Sequence, residues 1–286
     1  MLVTLNEVMR IAEEKKIAIG SFNTPNLESI QAVLEAAEEL NFPVIIQFAQ
    51  CHEENMRLAV IGPIMVDMAK KAEVPVCVHL DHGETLEYLD EALKLGFTSV
   101  MYDGSSLGFE ENMENTKKAV AMARDTGAGV EAELGSMGKR ESGSGDTEGI
   151  DDTKIYTDPK LAKQFVSETG VDALACSFGT THGIYLTAPK LDFTVVERVR
   201  KECGNIPVVM HGGSGVSPED FRKAIRAGVR KVNYFTYMDK AGGSAVAEAV
   251  KRAQGGKVLF FMEVSRAAML EMKKNVKEAM KVFAGM

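Results

Sequence analysis

Eight short apolar runs recur along this chain at intervals of roughly 20 to 45 residues, and a helix-like pattern follows each of them. This alternation predicts an α/β fold built on a parallel sheet. Eight strand–helix units favour closure of that sheet into a (βα)8 TIM barrel. A doubly wound open sheet is the alternative, but the even count and the lack of an early GxGxxG motif weigh against it. The runs cover residues 17–23, 44–49, 76–81, 99–103, 129–135, 173–179, 208–213 and 231–236.

Signals for helix ends support the alternation. Residues 4–7 read Thr-Leu-Asn-Glu, a capping box that predicts a helix plugging the barrel bottom before the first barrel strand. Ser217 and Pro218 supply an N-cap and a first helical residue. The tail over 264–283 is amphipathic and predicts a final packing helix. No domain boundary is evident, so we expect residues 1–286 to form one domain.

One segment, residues 135–152, interrupts this pattern because it is rich in glycine and serine and poor in apolar residues. Such a composition is typical of a mobile active-site lid or of an inert linker. Its position at the end of a predicted strand favours the lid.

Charge and cysteine content restrict the function classes. The net charge of −8 argues against nucleic acid or an anionic membrane as the main partner. No stretch approaches about 18 uninterrupted apolar residues, so no membrane span is predicted and a cytoplasmic location is expected. The four cysteines form no CxxC pair, which predicts free thiols in a reduced compartment.

Three of the five histidines stand directly before a glycine near the end of an apolar run, namely His82, His182 and His211. All strand C-terminal ends of a parallel barrel open on one face, so these imidazoles are expected to converge there. Three imidazoles with an open fourth position suit a catalytic Zn²⁺ ion, although Co²⁺ or Fe²⁺ would also fit. We expect His79 to be packed inside the barrel and His52 to be polar lining or surface, not a fourth ligand.

Two further features lie beside these histidines. Asp81 directly precedes His82, and a carboxylate beside a metal is a natural general acid/base, or otherwise a supporting or helix-capping residue. The glycine-rich loop 212–215 follows His211, and residues 233–236 end the last predicted strand. Loops after strands seven and eight of TIM barrels often bind phosphate, so an oxyanion site is predicted here.

Taken in order, these motifs resemble those of the class II, metal-dependent ketose-bisphosphate aldolases, the family of fructose- and tagatose-bisphosphate aldolases. The resemblance covers most of the chain. The matching segments are residues 21–28, 80–83, 96–105, 131–135, 179–183, 211–215 and 233–236.

The resemblance implies a zinc enzyme with one Zn²⁺ per subunit, held by His82, His182 and His211. Asp81 matches the catalytic acid/base, and Glu141 in the lid matches the acid that reprotonates the product. The implied reaction is cleavage of a ketose (bis)phosphate to dihydroxyacetone phosphate and an aldehyde through a zinc-stabilised enediolate. Such an aldehyde-lyase serves carbohydrate metabolism, including glycolysis, and is a homodimer or homotetramer.

Further residues take roles from the same resemblance. Asp103 and Glu133 match acids at an alternative position of the metal. A monovalent cation, Na⁺ or K⁺, often accompanies the substrate phosphate. The residues that match the substrate site are Asn23, Gly183, Gly212, Gly213, Ser214, Asn233, Tyr234, Phe235 and Thr236.

Two departures from the family pattern bear on the substrate. Leu186 stands where the family usually has a phosphate-binding lysine, and Ala49 where it commonly has a serine. The sequence therefore leaves open a differently phosphorylated or non-phosphorylated ketose. A ketose epimerase or isomerase that uses the same metal and acid is a second hypothesis, and a sugar-phosphate sensor without turnover is a third.

Overall fold

The computed structural model describes residues 1–135, 156–183, 185, 189–253 and 258–286. In these ranges the chain forms nine strands and ten α-helices. The strands are β1 (Leu2–Val3), β2 (Ile19–Asn23), β3 (Val44–Ala49), β4 (Val76–Gly83), β5 (Ser99–Tyr102), β6 (Gly129–Leu134), β7 (Ala173–Cys176), β8 (Val208–Met210) and β9 (Val229–Tyr234). The helices are α1 (Leu5–Lys15), α2 (Leu27–Leu40), α3 (Leu58–Lys71), α4 (Leu86–Lys94), α5 (Phe109–Thr126), α6 (Pro159–Thr169), α7 (Phe193–Glu202), α8 (Pro218–Ala227), α9 (Thr236–Ala253) and α10 (Phe261–Phe283).

Strands β2 to β9 form a closed parallel barrel. Each of these strands pairs with its neighbours along the chain, and β9 returns to pair with β2 through Ile19–Lys231 and Ser21–Asn233. The (βα)8 prediction is confirmed, and the open-sheet alternative is wrong because no barrel strand is left at an edge within the described ranges. Each of the eight predicted runs overlaps one strand, and five of these strands are shorter than their runs; β4 extends beyond its run and β9 begins two residues before its run. The two-residue β1 was not predicted; it pairs with the start of β4.

The strands alternate between two buried faces. In β3, Val44, Ile46 and Phe48 pack outward against the helices, whereas Ile45 packs inward. The same alternation in β4 turns Val78 outward into the helix-packed core. Polar residues at the inner positions of the strands therefore share the barrel interior, near its C-terminal end.

Helix α1 closes the barrel bottom, as predicted. Thr4 is its N-cap and forms a capping box with Glu7. Leu5 and Val8 are fully buried in a cluster with Ile45 and other inward residues of the strands. This apolar plug fills the N-terminal half of the barrel and leaves the opposite end for polar side chains.

The chain ends on α10, which begins three residues before the predicted boundary. It packs against α2 and α9, and the carbonyl of Phe283 accepts a hydrogen bond from Ala18 N–H at 3.1 Å. Ser217 and Pro218 start α8 as predicted. In the described part of the chain, no helix is both long and apolar enough to cross a membrane. The predicted lid lies outside the described residues, apart from Gly135.

Candidate active site

A pocket opens at the C-terminal ends of the barrel strands, where the sequence predicts the site. Most of the predicted site residues line this pocket directly. Glu133 and His211 are buried and do not line it. Glu141 lies outside the described residues. Ala49, Cys51, His52 and Glu84 complete the wall. The lining residues shared with the prediction are Asn23, Asp81, His82, Asp103, His182, Gly183, Gly212, Gly213, Ser214, Asn233, Tyr234, Phe235 and Thr236.

The three predicted histidines converge although they come from three different strand ends. One ring nitrogen from each of His82, His182 and His211 lies within 4.8 Å of the other two. His82 Nε2 and His211 Nδ1 are 3.0 Å apart. Neither His79 nor His52 belongs to a cluster of this kind in the described residues. His79 is fully buried in the barrel, as expected, with its Nδ1 2.7 Å from Ser99 Oγ.

Carboxylates orient two of these rings from behind. His82 Nδ1 donates to Asp103 Oδ2 at 2.6 Å, and His211 Nε2 donates to Glu131 Oε1 at 2.7 Å. A carboxylate accepts and cannot donate, so it fixes which ring nitrogen carries the hydrogen. The other nitrogen of each ring, Nε2 of His82 and Nδ1 of His211, is thereby directed toward the partner ring.

The surrounding charges shift the pKa values of these imidazoles in opposite directions. Burial works against the charged form of His82, but the carboxylates of Asp81 and Asp103 outweigh it and raise its pKa to about 10. Burial and the neighbouring charge on His82 hold the pKa of His211 well below its usual value. These opposite shifts favour a hydrogen bond in which His82 Nε2 donates to His211 Nδ1.

A local backbone irregularity lets Asp81 and His82 share the site. Adjacent residues of a regular strand point to opposite faces. Here the register with β5 shifts between Leu80 and Gly83, and His82 has φ of 46°, in the left-handed region. This bulge turns the His82 ring back into the pocket, so that its Nε2 lies 3.9 Å from Asp81 Oδ1.

Asp81 accepts hydrogen bonds from three side-chain amides. Asn233 Nδ2 donates to Oδ1, and both Asn23 Nδ2 and Gln47 Nε2 donate to Oδ2, each at 3.0 Å. Burial favours the neutral acid, but the charge of His82, together with Lys231 and the amide of Asn23, lowers the pKa of Asp81 to about 2. Asp81 is a fixed, deprotonated carboxylate at neutral pH.

Gln47 is a residue of this site that the sequence analysis did not single out. It is fully buried; its Oε1 accepts from Ser21 Oγ, and its Nε2 donates to Asn23 Oδ1 at 2.7 Å. The available signal was the alternation of β3, which places Gln47 on the inner face between apolar neighbours. A buried polar residue on that face requires partners inside the barrel.

Glu133 forms a second group with His82 and Asp103, whose ligand atoms also lie within 4.8 Å of one another. Burial and the nearby charge of Asp103 raise the pKa of Glu133 to about 8, so this acid is neutral at pH 7. Its Oε2 is 3.7 Å from His211 Nδ1. The two groups share His82 and therefore cannot each bind an ion independently.

The glycine loops after β7 and β8 lie against each other at the pocket rim. A Cβ on Gly212, whose φ is 64°, would lie 2.4 Å from the carbonyl oxygen of Thr181. Tyr185 bridges the two loops, since its hydroxyl accepts from Thr181 N–H and donates to Gly212 O, both at 2.9 Å. Ser214 Oγ accepts from the N–H of Phe235 at 3.3 Å, so its hydroxyl hydrogen is available to a ligand.

Two predicted substrate residues have additional or different partners. Asn233 lines the pocket but donates to Asp81, as described. Tyr234 packs its ring against Phe22 and Phe283, with centroids 5.9 and 6.2 Å away, so its side chain belongs to the core.

Comparison with known proteins gives a consistent result. The family model described as fructose-bisphosphate aldolase class-II matches residues 3–285. A fructose-bisphosphate aldolase of Staphylococcus epidermidis is 40% identical over 254 residues, covering 87% of this chain and 86% of that protein. A probable fructose-bisphosphate aldolase of Bacillus subtilis is 39% identical with the same coverage.

Solved structures agree with the sequence relatives. The YdjI aldolase of Escherichia coli K12 has a TM-score of 0.85 and 36% identity, with 99% of this chain and 97% of that chain covered. The fructose-bisphosphate aldolase of Campylobacter jejuni has a TM-score of 0.81 and 27% identity, with 99% and 95% covered.

Proposed function

The chain belongs to the class-II fructose-bisphosphate aldolase family and is a metal-dependent aldolase, a carbon–carbon lyase, and we propose specific roles for its residues in that reaction. In the proposed reaction, a ketose bisphosphate is cleaved between C3 and C4 to dihydroxyacetone phosphate and an aldehyde. One observation carries the proposal: a carboxylate held by three amides, Asp81, lies beside a cluster of three histidines in a pocket.

His82, His182 and His211 would hold the metal ion, and we propose Zn²⁺, one per subunit. The donor set fits zinc because imidazole nitrogen is one of its preferred ligands, and two of the rings are already oriented by carboxylates. Co²⁺ and Fe²⁺ accept the same donors. When bound, such an ion acts as a Lewis acid that polarises the substrate carbonyl. Asp103 and Glu133 are proposed to serve an alternative position of the ion.

Asp81 is proposed as the acid/base. It is deprotonated at neutral pH and fixed by its amide donors, so it can accept the proton of the C4 hydroxyl as the C3–C4 bond breaks. The electron pair of that bond stays on C3 of the three-carbon half, which needs a proton to become dihydroxyacetone phosphate. We assign that proton to Glu141 on the basis of the sequence alone.

The glycine loops and the start of α9 are proposed to hold the phosphate of the three-carbon half. Gly183, Gly212 and Gly213 line the pocket without side chains that would block an anion, and the hydroxyl hydrogen of Ser214 can donate. Residues 234–236 lead into the N-terminus of an 18-residue helix, which favours negative charge. A Na⁺ or K⁺ ion beside the phosphate, and Asn23 and Asn233 beside the sugar, complete the proposed substrate site.

A second copy of this chain is the proposed partner, in a homodimer or homotetramer. Support comes from an apolar stretch that begins α10, in which Phe261 and Met262 are each 81% exposed. Exposed apolar clusters of this kind are typical of interaction sites. Cytoplasmic carbohydrate metabolism, such as glycolysis, is the proposed setting.

The experiment that tests this function is exchange of the carbinol protons on C3 of dihydroxyacetone phosphate in D₂O, followed by NMR with the zinc-loaded protein and an EDTA control. Exchange that depends on zinc would support the three-carbon half-reaction. Cleavage of fructose or tagatose 1,6-bisphosphate into two carbonyl products would then separate aldolase from epimerase chemistry. Absence of exchange with zinc bound would contradict dihydroxyacetone phosphate as the product.

The cleavage assay tests the acid/base. Asp81→Asn keeps the size of the side chain but removes the proton acceptor, so turnover should fall by about 10²- to 10⁴-fold. Zinc content, measured by metal analysis, should remain near one per subunit. Turnover close to that of the wild type would contradict the role of Asp81.

A further inference from the structure

Lys231 on β9 is a fully buried cation that no step of the proposed reaction uses. It lies on the inner face of the barrel and does not line the pocket. Its Nζ contacts two groups, Glu131 Oε2 at 2.9 Å and Asn233 Oδ1 at 2.7 Å. Each of these partners makes one further contact toward the pocket, and the two contacts lead to different parts of the site.

The first contact leads to the histidine cluster. Lys231 neutralises Glu131, and the other oxygen of that carboxylate accepts from His211 Nε2 at 2.7 Å. A buried carboxylate that loses the cation beside it loses a contact that fixes its position. Because Glu131 fixes the hydrogen of His211 on Nε2, Lys231 keeps Nδ1 of that ring directed into the cluster.

The second contact leads to the acid/base. The Lys231 ammonium donates a hydrogen bond to Asn233 Oδ1, and Asn233 Nδ2 donates to Asp81 Oδ1 at 3.0 Å. The oxygen of a side-chain amide accepts hydrogen bonds and the nitrogen donates them. A cation beside Asn233 therefore holds Oδ1 toward Lys231 and leaves Nδ2 facing Asp81. If the amide of Asn233 were reversed, its oxygen would face the Asp81 carboxylate and its nitrogen would face the ammonium.

We propose that Lys231 is a positioning residue that sets two groups at once, the ring of His211 through Glu131 and the carboxylate of Asp81 through Asn233. This inference rests on the proposed function of those two residues. A purely structural ion pair would be replaceable by apolar side chains with little loss, and often with a gain in stability. The positioning role requires that such a replacement impair both metal binding and turnover.

The test is Lys231→Met, which keeps an unbranched chain of similar length but removes the ammonium. Two readouts are used: the affinity for Co²⁺, followed by its visible absorption, and kcat and KM for cleavage. We expect Co²⁺ binding to weaken by about 10- to 100-fold, as for other residues that orient metal ligands. We expect kcat to fall about as much, because the Asn233 amide that fixes Asp81 loses its own fixed orientation. The cobalt readout does not depend on turnover, so it stands even if the proposed substrate is wrong.

Ser99→Ala is the matched control. Ser99 is also fully buried on the inner face and binds His79, but it has no hydrogen bond to His211, Asp81 or Asn233 among the described residues. This variant should keep the cobalt spectrum, the affinity and kcat of the wild type. Lys231→Met with an unchanged cobalt affinity or an unchanged kcat would overturn the proposal.

Removing the ammonium alone leaves Glu131 without its cation and can prevent folding. The double variant Glu131→Gln/Lys231→Met avoids this problem, because neither the carboxylate nor the ammonium remains in it. Its reference is Glu131→Gln, in which the Lys231 ammonium keeps Asn233 Oδ1 as an acceptor and the amide oxygen of the new side chain can accept as well. The double variant should have a kcat at least 10-fold below that of Glu131→Gln, since only it loses the contact to Asn233. Equal kcat values in the two variants would overturn the link from Lys231 to Asp81.

Discussion

The hydrogen bond between His82 and Asp103 predicts how strongly a residue outside the three-histidine cluster controls metal affinity. His82 Nδ1 donates to Asp103 Oδ2 at 2.6 Å, and Asp103 is itself fixed by Ser105, whose backbone N–H and hydroxyl both donate to its Oδ1. A hydrogen bond to a charged group contributes about 1.5–3 kcal/mol. At 1.36 kcal/mol for each factor of ten, Asp103→Ala should weaken zinc binding by about 10- to 150-fold.

The assay is competition for Zn²⁺ between the protein and a chromophoric chelator at fixed pH, which requires no turnover. Asp103→Asn should lie between the wild type and Asp103→Ala, because an amide oxygen can still accept from Nδ1 but carries no charge. Ser105→Ala should change the affinity by less than about fivefold, since Ser105 contacts the other oxygen of Asp103.

Glu133→Gln distinguishes orientation of His82 from direct ligation. Asp103 and Glu133 belong together to the second candidate group, and only Asp103 hydrogen-bonds His82. If zinc is held by the three histidines, Asp103→Ala weakens binding and Glu133→Gln leaves it nearly unchanged. Equal losses in the two variants would place the ion in the second group. An affinity of Asp103→Ala within threefold of the wild type would refute the reasoning.

Two further predictions concern the scaffold. The carboxylate of Glu13 accepts hydrogen bonds from Arg200 Nη2 at 3.0 Å and from Arg230 Nε at 2.8 Å. Burial raises the pKa of Glu13, but these two hydrogen bonds outweigh burial and lower it. The carboxylate therefore stabilises the folded chain at pH values above its unfolded pKa, and this stabilisation is lost as the pH falls through the folded pKa. Glu13→Gln should therefore reduce the free energy of unfolding by about 1–3 kcal/mol at pH 7 and by less at pH 4, as measured by urea denaturation; an equal reduction at both pH values would contradict this. Gly212→Ala should lower kcat at least 10-fold, because the new Cβ would collide with the carbonyl oxygen of Thr181. Gly204→Ala is the control: Gly204 has a similar φ of 66° but open space around it, so this variant should lose only about 1–2 kcal/mol of stability. Equal activity of the two variants would contradict the argument.

The barrel and the histidine cluster could be predicted because both depend on local patterns. Each strand is an apolar run, and parallel strands deliver their C-terminal residues to one face. His82, His182 and His211 therefore meet although 100 and 29 residues separate them in sequence. The left-handed backbone conformation of His82 could not be predicted from this pattern, because that conformation arises where the pairing of β4 with β5 shifts register.

The polar interior of the barrel was not predicted. Gln47, Glu131 and Lys231 lie within the predicted strands, and their partners lie on other strands far along the chain. Nothing local indicates that such residues contact one another until the register of the closed barrel is known. Asn233 was predicted to contact substrate, and its bond to Asp81 follows from the same register. The role of Glu141 stays a prediction.

The pairing of β2 with β9 has a consequence for synthesis of the chain on the ribosome. The second strand of the chain remains an unpaired edge until residues near 229–234 have been made, and Ala18 gains its partner only when Phe283 emerges. Unpaired parallel edges are open to association with other chains. The nascent polypeptide must therefore carry an exposed edge for most of its translation, and we expect chaperones to bind its amino-terminal half until β9 pairs with β2 and closes the barrel.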